Sequence, residues 1–405
     1  MKSSPFNEQV DLIIVGAGMV GLCLAAALRL QGLKILIVER EESAPFISLG
    51  YDCRVSAIVA ANIEMFQAIG VWERLQTVAS PIHTMRIWDN QHAGGIRFDA
   101  EEIKKTALGY LIENSKMQEA MKLTLLQDVN IELYYPAVIQ SWQRNNGKLQ
   151  VRFEDGRVVE TPLLVGADGA NSWVRSNAEI HLYEHDMHQK GIVANIRTQL
   201  PHQNSAYQRF LPTGPLAFLP MINGMISIVW SAQTEEADRL MQLDDIGFIE
   251  SLNLAMGPVL GRVTEVGQRA AFPLKTRLAA HMIRPNIALI GDAAHTIHPL
   301  AGLGVNLGLR DAMILGREIL DAIRFKEDYG SSEILSRLIA QRVPDILTVM
   351  ASMEGLNHIY TSQLPGMPLL RGLGMRMVGN SGIIKQMLMQ HSTGLSLPVP
   401  KQLEA

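Results

Sequence analysis

Asp11-Leu-Ile-Ile-Val-Gly-Ala-Gly-Met-Val-Gly21 begins as an apolar run and ends in the spacing G-x-G-x-x-G. The run 11–15 predicts a buried strand, and the Ala- and Leu-rich residues 22–30 predict a helix behind the glycines. Residues 34–38, Lys-Ile-Leu-Ile-Val, predict a second buried strand that ends at Glu39. The three pieces make a βαβ unit with glycines at its first turn, an arrangement that binds dinucleotides. Gly16 suits the tight turn, Gly18 the close approach of a pyrophosphate, and Gly21 the packing of helix on strand. Glu39 stands 18 residues after Gly21, where a carboxylate accepts hydrogen bonds from ribose hydroxyls and repels a 2′-phosphate. A lone G-x-G-x-x-G is also met in ordinary glycine-rich turns; the strands, the helix and the acid together favour the dinucleotide.

Far downstream, residues 286–311 repeat the logic. Ile287 to Ile290 is apolar and strand-like, Gly291-Asp292 stops it, and a Gly/Pro-punctuated turn runs from Pro299 to Gly304. From Val305 the spacing of Val305, Leu309 and Ala312 is helical. A strand, a turn and a helix N-terminus gather backbone N–H groups at one point, which suits an electron-rich ligand. Asp292 is placed to accept a hydrogen bond from a sugar-like hydroxyl. Glu39 alone does not separate NAD from FAD; a second site so far away favours FAD, whose flavin and ribitol need one. Between the two lies 163–175, again strand, turn and helix start. There Asp168-Gly169 suits either a cofactor hydroxyl or a plain turn with Asn171 or Ser172 capping the next helix.

The chain has 405 residues, 47% of them apolar and 19% charged, which describes a globular protein of two domains or one large α/β unit. Its net charge is −4 with no long basic run, which argues against nucleic acid as a partner. Cys23 and Cys53 are its two cysteines and are expected to be reduced core thiols. Residues 1–9 are polar, so no signal peptide is expected there. The apolar stretch 12–28 is broken by glycines, so a cytoplasmic protein is expected.

These motifs resemble a known family. Gly16-x-Gly-x-x-Gly21 with Glu39, Gly166-Ala-Asp-Gly169 and Gly291-Asp-Ala-Ala-His-x-x-His-Pro299 are similar to the single-component FAD aromatic hydroxylases. Within these the likeness is to the ubiquinone-biosynthesis hydroxylases. Arg54-Val-Ser-Ala-Ile58, Gly70-Val-Trp72, Gly109-Tyr-Leu-Ile-Glu-Asn114 and His298-Pro-Leu-Ala-Gly302 add to it. The resemblance implies an α/β chain with the para-hydroxybenzoate-hydroxylase fold: a Rossmann-type FAD-binding domain, an inserted mostly antiparallel substrate sheet and a helical C-terminus. It divides the chain into FAD-binding parts at 1–80, 106–182 and 275–330, sheet parts at 81–105 and 183–274, and a helical segment at 331–405. The alternating pieces around residues 84–99, 191–197 and 217–230 agree with such a sheet.

Residue by residue, the resemblance carries cofactor contact onto Gly16, Gly18, Met19, Val20, Gly21, Glu39, Arg40, Arg54, Gln118, Asp168, Asp292, Pro299, Gly302, Gly304, Val305 and Asn306. Arg54 matches an arginine near the cofactor phosphates, a role for a bidentate guanidinium; a surface salt bridge is the plainer reading. The family's usual Gly-Gln-Gly is Gly302-Leu303-Gly304 here, a change that keeps the backbone amides and loses the glutamine side chain. His298 and Pro299 are the candidate catalytic residues, His298 as a carrier of the substrate's phenolic proton. His295 is expected to bond the backbone and shape the turn. No cluster has metal-ligand spacing, so no metal is expected.

The implied chemistry is reduction of FAD by NADPH or NADH, uptake of O2 as a flavin C4a-hydroperoxide, and hydroxylation of a polyprenylated phenol or benzoquinol. Ala44-Pro-Phe46, 104–114 and 214–220 resemble the enzyme that acts on the 3-methyl-6-methoxy ring. Hydroxylation of an earlier prenylphenol and a flavin-dependent isoprenoid-lipid reductase are the alternatives. Association with other ubiquinone-biosynthesis proteins is expected from the family. Met350, Met353, Met367, Met375, Met377, Met387 and Met389 make the C-terminal segment Met-rich, which is core filling or an apolar surface. With Arg371, Arg376 and Lys385 it is a candidate for peripheral contact with the inner membrane.

Overall fold

The computed structural model describes residues 9–41, 44–89, 95–297 and 304–361, with Ser381 and Lys385. Leu12–Val15 and Ile35–Val38 form the expected strands and pair in parallel, Leu12 opposite Ile35 through Val15 opposite Val38. Helix Met19–Leu28 connects them, starting three residues earlier than its apolar periodicity predicts because Gly18 is its N-cap. Strand order in this sheet is Ile131–Tyr134, Ile35–Val38, Leu12–Val15, Leu164–Gly166, Ile287–Leu289 and Ile283–Arg284. All neighbours are parallel except the last pair. Three segments far apart in sequence thus lie side by side, and each ends at its own glycine turn.

Alternation along these strands serves two cores. Leu12, Ile14, Ile35 and Ile37 face helices Met19–Leu28, Asn114–Leu125 and Gly304–Phe325. Ile13, Leu36 and Val38 face a three-stranded antiparallel sheet, Ile139–Asn145, Lys148–Phe153 and Val158–Thr161. Leu22, Leu24 and Leu28 are all 1% exposed or less, and each such burial stabilises the fold by roughly 1.5–3 kcal/mol.

A second sheet has eight strands in the order His295–Thr296, Val263–Ala279, Leu182–Thr198, Ile226–Gln233, Gly214–Pro220, Ser205–Leu211, Thr84–Asp89 and Gly95–Asp99. Only Ser205–Leu211 and Thr84–Asp89 run parallel. Helices Thr234–Gln242 and Asp245–Met256 cover one face with Leu240, Phe248 and Leu252. The other face packs Ala206, Ala217 and Leu219 on Ala57 and Leu111 of a small sheet. The two large sheets meet where the chain leaves Ile287–Leu289, turns at Gly291 and enters the second sheet at His295.

Candidate functional site

A cleft of about 860 Å³ opens along the C-terminal ends of the parallel strands, where the sheets meet. It is within the range of cofactor pockets, roughly 300–1,000 Å³. Gly16, Gly18, Met19, Val20, Glu39, Arg40, Arg54, Gln118, Asp168, Asp292, Gly304 and Val305 all line it. Gly21 and Asn306 do not; they stand behind its wall. Asn306 is buried, with its Nδ2 donating to Ala57 O at 2.8 Å and its Oδ1 accepting from Val59 N at 3.1 Å. His298, Pro299, Gly302 and Leu303 lie outside the described residues, as do Arg371, Arg376 and the methionines from Met367 onward.

The glycine turn has the shape a diphosphate needs. Gly16 has φ +107°, and a Cβ on it would lie 2.4 Å from Ala167 O. A Cβ on Gly21 would lie 2.0 Å from Gly16 O, whereas one on Gly18 would meet nothing within 4 Å. Gly18 therefore faces the open cleft, and the helix it caps has no side-chain cap. Its first N–H groups are left for an anion. Glu39 braces the same turn: Oε2 accepts from Ala17 N at 2.7 Å, and Oε1 from Arg40 N at 2.9 Å and Glu41 N at 3.3 Å. A carboxylate has about four lone-pair sites, so capacity remains for a ribose hydroxyl.

Arg54 is mounted on Asp52, a carboxylate with 0% exposure that sequence reasoning passed over. Asp52 Oδ1 accepts from Arg54 N at 2.9 Å and lies 3.7 Å from its Nε; Oδ2 accepts from Ser115 N at 3.3 Å. Arg54 also donates to Ala44 O at 2.8 Å. Glu113 accepts from Asp52 N, and burial pushes the Glu113 carboxyl above its ordinary value.

Asp168 lines the cleft but is engaged with the following helix. Oδ1 accepts from Ser172 Oγ at 2.6 Å, and Oδ2 from Trp173 N at 2.7 Å and Val174 N at 3.1 Å. Ser172 caps that helix by accepting from Arg175 N at 2.9 Å, so the capping reading of this segment holds. Arg175, 5% exposed, ties the turn to the distant segment by donating to Ala293 O and Ala170 O, each at 2.9 Å.

Asp292 opens into the cleft, yet loss of water pushes its carboxyl above the ordinary value against the pull of His295 and Arg277. His295 shapes the turn as expected, through a different partner: its Nε2 meets Asp311 Oδ2 at 2.6 Å. The same oxygen accepts from Gly291 N at 2.9 Å, and Asp311 Oδ1 accepts from Arg342 Nε at 2.7 Å. Burial acts to raise the Asp311 carboxyl, but His295 and Arg342 outweigh it and hold it below the ordinary range. Lys385, one of the cations expected to meet lipid, donates to Glu102 at 2.5 Å. Met350 packs into the core beside Ile346. Among the described residues no helix is long and apolar enough to cross a membrane.

The residues present fit an extended dinucleotide: a helix N-terminus at Gly18 with Glu39 at one end, and Asp292 with the helix start at Gly304 at the other.

Comparison with known proteins agrees with that geometry. The FAD binding domain family matches residues 9–338. The 3-demethoxyubiquinol 3-hydroxylase of Escherichia coli is 32% identical over 391 residues, 96% of this chain and 100% of that protein. The ubiquinone hydroxylase UbiL of Rhodospirillum rubrum is 32% identical over 388 residues, 96% of this chain and 90% of its own. The mitochondrial ubiquinone biosynthesis monooxygenase of Xenopus tropicalis is 32% identical over 431 residues, covering 94% of this chain and 92% of that one. Among solved structures, p-nitrophenol 4-monooxygenase from Pseudomonas putida superposes with a TM-score of 0.78 at 15% identity, over 96% of this chain and 99% of that one. PqsL from Pseudomonas aeruginosa gives 0.77 at 21% identity, over 91% and 100%. At these identities the structures speak for the fold alone.

Proposed function

This chain belongs to the FAD-dependent hydroxylase family of ubiquinone biosynthesis, and on that premise we propose that it hydroxylates the 3-methyl-6-methoxy ring of a polyprenylated benzoquinol. The observation that carries the choice of ring is the end-to-end similarity to the Escherichia coli 3-demethoxyubiquinol 3-hydroxylase. UbiL and the Xenopus tropicalis enzyme match at the same identity and their names specify no ring position; hydroxylation of an earlier prenylphenol is the second reading. Bound FAD supplies the redox chemistry: two electrons pass from NAD(P)H to O2, one oxygen atom enters a ring C–H bond, and the other leaves as water.

The residues bind, orient and exclude water. The N–H groups after Gly18 and the Arg54 guanidinium hold the diphosphate, Glu39 the ribose and Asp292 the ribitol. The substrate ring lies between the cleft and the near face of the eight-stranded sheet. Cross-strand register puts Gln208, Ala217, Val229, Val193 and Ala270 in one row on that face. Val193 and Val229 are half-buried apolar side chains that keep water from the ring. Gln208 is 5% exposed, and its Oε1 has no partner. It is the group we assign to a ring hydroxyl, because a buried amide oxygen gains by meeting a donor. His298 is assigned the proton of that hydroxyl. The prenyl tail brings the chain to the membrane surface as a peripheral protein, beside other enzymes of the same synthesis.

The test is turnover of a short-tailed 3-methyl-6-methoxy-benzoquinol by the FAD-loaded protein under isotopically labelled O2. Label in the new ring hydroxyl supports the proposal. Label only in hydrogen peroxide, with a phenol lacking the methoxy group hydroxylated instead, moves the assignment to the earlier ring.

A further inference from the structure

The turn that presents Asp292 is shaped by a carboxylate that does not line the cleft. Gly291 has φ +59°, a conformation glycine enters and leaves freely, so something outside the turn has to hold it. Asp311 does so from helix Gly304–Phe325, with 0% exposure. Its Oδ2 accepts from Gly291 N at 2.9 Å on one side of Asp292 and meets His295 Nε2 at 2.6 Å on the other. Its Oδ1 accepts from Nε of Arg342, whose side chain is 1% exposed. Arg342 belongs to the C-terminal helix Ser332–Thr361 and also donates to Asp345 at 2.5 Å and Leu307 O at 3.4 Å. Asp345 in turn meets Arg310 at 3.4 Å.

We infer that Asp311 is a positioning residue for the cofactor: one carboxylate clamps both ends of the Asp292 turn, and Arg342 anchors that clamp to the C-terminal helix. A buried ion pair is weak evidence of a stability role by itself. What marks this one is geometry, because its two inner bonds bracket a single cleft residue. The consequence is directional. A disturbance of the Ser332–Thr361 helix reaches the Asp292 turn through Arg342 and Asp311.

The inference rests on the reading that Asp292 meets FAD, and the test separates the two. FAD affinity is measured by fluorescence titration of the full-length apo-protein for Asp292→Ala, Asp311→Asn and the double variant, with apo-protein melting alongside. An amide at 311 keeps the shape but cannot accept all three bonds. Asp311→Asn is expected to weaken FAD roughly tenfold, the scale on which supporting groups tune a bound ligand. The double variant is expected to bind FAD about as Asp292→Ala does, since the turn then has no acceptor side chain to position. Losses that simply add overturn the inference while leaving Asp292 as a cofactor contact. Unchanged affinity in Asp292→Ala removes that contact and the inference with it. Should Asp311→Asn fail to fold, Arg342→Gln, which removes only the outer partner, is carried through the same cycle with the same two outcomes.

Discussion

Asp292 and Asp311 stand on the two sides of one turn, and their surroundings shift the two carboxyls in opposite directions from the ordinary value. Loss of water around Asp292 within the cleft raises its carboxyl, so it takes up a proton above the ordinary carboxylate value as pH falls. Asp311 is held below that value by His295 and Arg342, so its stabilising charge persists until the pH falls through its lowered pKa. Mild acidification is therefore predicted to weaken FAD binding, as Asp292 loses its charge, while the Asp311 clamp stays ionised. Flavin fluorescence and circular dichroism followed against pH check this, and coincident transitions would contradict it. Asp292→Ala is predicted to leave the purified protein with little bound FAD; unchanged flavin content and activity would remove the ribitol contact. Gln208→Leu is predicted to raise KM for the quinol and divert O2 to hydrogen peroxide, with FAD affinity unchanged. Product and peroxide counted per NAD(P)H consumed decide that point.

At this scale the sequence was legible where a residue's neighbours in sequence set its surroundings. Glu39 and Asp292 each close a strand, and each lines the cleft. Asp311 and Arg342 were not legible. Each is a charged residue in a helix, the usual pattern of a solvated face, and their partnership is made across 31 residues. Asp168 was ambiguous because the same carboxylate suits a cap or a ligand, and both of its oxygens turned out to serve the cap.

The elements around the glycines carry a sharper contrast. A methyl on Gly16 collides with Ala167 O and demands a positive φ, whereas a methyl on Gly18 meets no protein atom. Gly16→Ala is predicted to destabilise the apo-protein by about 1–3 kcal/mol and to lose FAD. Gly18→Ala is predicted to keep the melting temperature and weaken FAD by about tenfold or more, since its methyl points where the diphosphate lies. Thermal melts with FAD titrations distinguish them, and equal effects on both quantities would refute the assigned roles. The apolar runs 12–15, 35–38 and 287–289 announce themselves as strands because both faces are buried. The sheet 139–161 was missed because its first strand, Ile139–Asn145, is mostly exposed beyond Ile139 and shows little apolar alternation. The strand expected near residue 191 begins at Leu182, since its first half pairs with 274–279 at the surface and carries polar residues.

For the whole molecule, one ligand explains why segments near residues 16, 168 and 292 are adjacent: each strand turn touches the same cleft. That adjacency was read from the motifs together with the family resemblance; spacing alone predicts each turn but not their convergence. The quantity that tests the central claim most directly is the lipid quinone profile, by mass spectrometry, of a strain lacking this protein and any second hydroxylase of its kind. Hydroxylation of the 3-methyl-6-methoxy ring predicts accumulation of demethoxy-ubiquinone with loss of ubiquinone, restored by the wild-type chain. An unchanged profile would contradict the account and leave an FAD enzyme acting on some other ring.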